Sequence, residues 1–183
     1  MRSDIRDRRE ITAFLGALCL FLSAVEYLIP KPLPFFRLGL ANLPLLLGLR
    51  FLRPADLLLV LLLKVLGQGL INGTLASYVF LFSLAGSMAS VLMMSTVNRL
   101  GGRHVGLVGV SISGALASSL VQVALAVTFI FGETARIIAP ISIGSGVVTG
   151  LVMGVFADRF VSSSKWLKAL KKRYLGTFQE KSP

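Results

Sequence analysis

The most conspicuous chemical group in this sequence is a lysine set in an oil-like segment. Residues 57–71 read LLLVLLLKVLGQGLI, with Lys64 near the centre and Asn72 directly after. A lysine at bilayer depth costs roughly 3 kcal/mol on insertion scales, so a compensating role is expected. On a helix, Lys64, Gln68 and Asn72 fall at i, i+4 and i+8 and share one face. Glu26, Asn42 and Gln122 are further polar side chains within apolar stretches. Together these six form the candidate substrate-binding set: the lysine suits an anionic group and the amides fix its orientation. Structural readings stand beside each. Lys64 could pair with Glu26, Asn72 could cap a turn, Asn42 could satisfy carbonyls freed by Pro44, and Gln122 could bond between helices.

Other reactive groups are sparse. Cys19 lies alone in an apolar run and His104 alone at a segment boundary, so neither suggests a metal site. The carboxylates available, Glu26, Asp56, Glu133 and Asp158, do not form an Asp-rich pair able to hold Mg²⁺ and a diphosphate. A Gly-rich phosphate loop with its lysine is also lacking. The expectation is a protein without catalytic residues, metal or cofactor.

The elements that must position these groups are apolar helices. Of the 183 residues, 55% are hydrophobic and the mean hydropathy is +0.81. Soluble domains hold about 45–50% apolar residues, arranged in stripes rather than runs. The runs here predict an all-α, polytopic membrane protein of six helices. Residues 1–10 form a basic start, 11–160 the six-helix domain and 161–183 a basic tail. Ile11 to Ile29 is read as the first span rather than a removable signal peptide.

Pro30, Pro32 and Pro34 enforce an extended connection through Phe36. Helices 2 (about 39–52) and 3 (about 56–71) are only about 21–24 Å long, against about 30 Å for a full span. Such short, Gly/Pro-interrupted segments tend to line cavities. Asp56 is placed to cap helix 3. Helices 4 (about 77–97) and 5 (about 105–131) follow, and helix 6 runs to about Phe160. Gly146, Gly150 and Gly154 make a doubled GxxxG ridge for tight helix contact. Met88, Met93 and Met94 are read as lipid-facing or packing residues.

The net charge of +11 follows membrane topology rather than nucleic-acid binding. With both ends inside, 15 of the 19 Lys and Arg residues are cytoplasmic, the positive-inside pattern. The tail, with Lys165, Lys168, Lys171, Lys172 and Arg173 around Trp166 and Tyr174, reads as an interfacial helix on an anionic leaflet. In this orientation Lys64 lies about 12 Å from the cytoplasmic start of helix 3 and Asn72 about 24 Å along it. The polar stripe therefore opens outward beneath the Pro30–Phe36 loop.

Three stretches, RLGLANLPLLLGLRFL (37–52), KVLGQGLINGTLASYVFLFSLAGSMASVLM (64–93) and GVSISGALASSLVQVALA (109–126), resemble the Gx transporter family. Its members are often labelled heptaprenyl diphosphate synthase component I. The likeness covers most of residues 11–160. The family is grouped with the substrate-binding S components of energy-coupling factor (ECF) vitamin transporters. The resemblance implies a ligand site near the outer face, a lid after helix 1 and a basic residue at Lys64. It also implies docking through small helix-1 residues, here Ala13 and Ala17, to a coupling subunit driven by ATPases. Where the family often carries an Asn before its helix-5 Gln, Ser119 stands here. Two functions are therefore expected: a small-molecule transport subunit, or a non-catalytic membrane component of a prenyl diphosphate synthase or redox complex.

Overall fold

The structure, a computed structural model, describes residues 2–28, 39–49, 52–101, 104–132 and 135–163. The Pro30–Phe36 loop and the tail beyond residue 163 lie outside the described residues. All regular structure among the described residues is helical: α1 (Arg2–Leu28), α2 (Leu43–Gly48), α3 (Pro54–Ile71), α4 (Tyr78–Gly101), α5 (Leu107–Ala126) and α6 (Ala135–Ser163). α1 begins nine residues before the apolar run, because the charged start continues the same helix.

The second segment is shorter than its apolar run suggests. A 3₁₀ turn over Leu40–Asn42 leads into the six-residue α2, giving about 15 Å of helix in all. Gly39 starts it at φ 73°, a left-handed value that glycine adopts readily. Pro44 sits in the first turn of α2, where its missing N–H is harmless. α3 likewise opens on Pro54, with extended Arg53 as its N-cap. This moves Asp56 from the expected cap into the first turn, where its charge still favours the helix dipole. Its Oδ2 is buried without a hydrogen-bond partner.

α3 ends in a Schellman motif: Thr74 N–H donates to Gly69 O at 2.8 Å and Gly73 N–H to Leu70 O at 3.2 Å. Gly73 supplies the required positive φ of 63°. α5 ends in a π-helical turn, Val127–Phe131, rather than continuing as one α-helix, and Gly132 closes it.

Helix directions follow from which residues face each glycine. A methyl on Gly16 would meet Leu63 and one on Gly67 would meet Leu20, so α1 and α3 run parallel. Gly86 faces Ser118 and Gln122 while Gly114 faces Ser90 and Met94, so α4 and α5 run antiparallel. On α6, Gly146, Gly150 and Gly154 press on Ser119, Ala115 and Val108 of α5, also antiparallel. The glycine ridge expected from sequence is thus a close backbone contact.

α2 is the wedge between two cores. Leu45 packs with Ile11, Leu15, Cys19, Val60 and Leu61 of α1 and α3. Leu43, Leu46 and Leu47 pack with Met94, Leu107, Val110 and Ala157 of α4, α5 and α6. The outer faces are apolar instead: Leu59, Leu66 and Leu70 of α3 and Val152 and Phe156 of α6 are exposed. Large apolar side chains outside and polar ones inside suit lipid as the surrounding solvent. Among the described residues, four helices are long and apolar enough to cross a membrane: α3, α4, α5 with its π extension to Phe129, and α6 from Ala139.

Candidate functional site

A cavity of about 80 Å³ lies where the two cores meet. Glu26, Asn42, Lys64, Gln68 and Gln122 all line it, gathered from α1, the α2 entry, α3 and α5. Asn72 does not. As the C-cap of α3 it keeps helical geometry, with its N–H on Gln68 O, but it stands two turns beyond Lys64 at the helix end. Its Oδ1 is buried there without a partner.

Lys64 is 5% exposed, so its ammonium is desolvated and must be held by the protein or a ligand. Its Nζ donates to Asn42 Oδ1 and, at 3.1 Å, to Ser87 Oγ on α4. Glu26, 3% exposed, is held differently. Its Oε1 accepts from Gly39 N–H at 3.3 Å and its Oε2 from Ala41 N–H at 3.5 Å. The carboxylate thereby ties the end of α1 to the start of the 3₁₀ turn, fixing Asn42 beside Lys64. Glu26 is therefore a positioning group, while Lys64 presents the positive end of the cavity.

The amides are anchored across the interface. Gln68 Oε1 accepts from Ser83 Oγ at 3.4 Å, linking α3 to α4. Gln122 Nε2 donates to Ser118 Oγ at 3.1 Å within α5. Gly86 leaves room for this pair, since a methyl there would come within 2.5 Å of Gln122 Nε2.

Sequence reasoning missed the hydroxyls. Ser87, Ser90, Ser111, Ser118, Ser119, Ser142 and Thr149 all line the cavity. The available signal was their spacing: Ser111, Ser118, Ser119 and Gln122 fall on one face of α5. Met94 also belongs here, since it is buried and lines the cavity, whereas Met93 is exposed. Ala13 and Ala17 lie elsewhere, exposed on the outer face of α1. Cys19 is buried and donates to Ala41 O at 3.4 Å, a packing role as its apolar setting implied.

The arrangement is suited to holding a small polar molecule away from lipid. A sequence model of the family described as heptaprenyl diphosphate synthase component I matches residues 15–160, about four fifths of the chain. Comparisons with curated proteins and with solved structures returned no match.

Proposed function

The chain belongs to the heptaprenyl diphosphate synthase component I family, and from that premise we propose that it is a membrane-embedded substrate-binding subunit for small-molecule transport. The observation that carries this reading is the cavity with Lys64 at one side, framed by amides and hydroxyls on the neighbouring helices. A desolvated ammonium beside unfilled space, inside a bundle with apolar outer faces, is the arrangement a ligand site requires. The half-length α2 beside it resembles the interrupted helices that form substrate sites in transporters.

In this reading the chain binds rather than catalyses. The cavity's carboxylate, Glu26, is already engaged by two backbone N–H groups. α1 and the α2 segment complete a six-legged bundle with both ends cytoplasmic, supported by the placement of 15 of 19 basic residues. The exposed Ala13 and Ala17 face of α1 is where a coupling subunit of the ECF kind would dock, bringing ATPases as the energy source.

The test is native mass spectrometry of the full chain purified from membranes, beside Lys64→Met. The expected result is a bound small molecule on the wild type that is at least tenfold depleted in the variant, with helicity unchanged. A wild type with no small-molecule adduct would overturn the binding reading. The family's name supports a second reading, a non-catalytic membrane partner of a prenyl diphosphate synthase. Affinity isolation separates the two: ATPase subunits support transport, and a soluble prenyltransferase supports the synthase complex.

A further inference from the structure

Ser90 of α4, one turn from Ser87, and Ser111 and Ser119 of α5 form a second polar pole of the cavity, on residues only 2%, 8% and 9% exposed. Their hydroxyls make no hydrogen bond among the described residues, and they are not sealed within the packed interior but face the cavity space. Hydroxyls placed this way are free to pair with whatever occupies the cavity. Thr149 of α6 adds an oxygen whose proton is already given to Gly146 O at 3.1 Å, leaving it as an acceptor.

Part of the apolar lining is a packed floor: Leu43, Leu46 and Met94 form it, and Leu107, Val110 and Ala157 pack behind them in one buried cluster. With close-packed side chains beneath, a long hydrocarbon tail has no path through this floor.

Resting on the binding reading above, we propose that the ligand is a small hydrophilic molecule polar at both ends, and not an isoprenoid. One end, an anionic or strong acceptor group, meets Lys64, Asn42 and Ser87. The other end, bearing hydroxyl or ring donors and acceptors, pairs with Ser90, Ser111 and Ser119. Hydroxyls both donate and accept, so this second pole selects for hydrogen-bonding capacity rather than charge.

The double variant Ser90→Ala, Ser119→Ala tests the second pole. Each substitution removes an oxygen with no protein hydrogen bond and trims only its packing against a facing glycine, Gly114 for Ser90 and Gly146 for Ser119, so thermal stability is expected to change little. Retention of the co-purified molecule, read by native mass spectrometry, is expected to fall about tenfold, as for losing two modest hydrogen bonds. Released from wild type by chloroform–methanol extraction, that molecule is expected in the aqueous layer. Added farnesyl diphosphate is expected not to displace it. A ligand partitioning into chloroform, displacement by farnesyl diphosphate, or full retention in the double variant would each overturn the proposal while leaving ligand binding intact. Absence of any ligand on wild type removes the binding reading itself and this proposal with it.

Discussion

Replacing Gly154 with alanine probes the contact that holds the cavity's far wall together. The added methyl carbon would stand 2.6 Å from Val108 Cα, 3.1 Å from Ser111 Cβ and 3.3 Å from Val108 O. Favourable carbon–carbon contacts lie at about 3.5–4.0 Å, so α5 and α6 must part by about 1 Å at this level. The nearest atom is backbone, so no rotamer change relieves it. Overpacking of this kind costs about 1–3 kcal/mol. In lipid the loss is felt fully, because close packing rather than water exclusion holds helices together. Gly144 on the same helix is the control: a methyl there meets nothing within 4 Å. Gly144→Ala is expected to be neutral or to stabilise by up to about 1 kcal/mol through helix propensity. The two alanines should therefore differ by about 1–4 kcal/mol. Titration with sodium dodecyl sulfate in mixed micelles, followed by circular dichroism, measures this difference. Equal stabilities, or a more stable Gly154→Ala, would refute the ridge as a tight contact.

Two further outcomes follow from buried groups. Cys19 is the chain's single cysteine and is 0% exposed, so a maleimide should label it negligibly in mild detergent and fully after denaturation. Rapid labelling of the folded protein would place α2 away from α1. Glu26→Ala strands two backbone N–H groups and is expected to destabilise by about 2–4 kcal/mol in thermal unfolding, with Glu26→Gln losing about half as much. A wild-type melting profile for Glu26→Ala would show that the carboxylate does not clasp the 3₁₀ turn.

How much of this was legible beforehand depended on periodicity. Lys64 and Gln68 share a face over one uninterrupted turn, so i, i+4 arithmetic placed both at the cavity correctly. Asn72 keeps the same helical register, but it stands two turns beyond Lys64 at the end of α3 and does not line the cavity. Pro44 and the glycine at 39 signalled an interrupted second helix, but the division into a 3₁₀ turn and six α-helical residues depends on packing between two cores. The glycine ridge was readable since only small residues let backbones meet. The serines were not. A small polar residue serves equally in a helix contact or a binding wall, and only the tertiary arrangement distinguishes Ser90, which lines the cavity, from Ser113, whose hydroxyl bonds back to Val110 O at 2.8 Å. Glu26 was placed near the site by depth, yet its partners are backbone groups, which carry no sequence signature.

The two partners of Lys64 carry a consequence for biogenesis. Asn42 lies 22 residues before the lysine and Ser87 lies 23 residues after it. These two hydrogen bonds therefore reach its neighbours in the order of synthesis, one on each side, and neither involves α5 or α6. Asn42 precedes the lysine out of the insertion machinery and Ser87 follows it, so both acceptors belong to segments made before the glycine-ridged hairpin of α5 and α6.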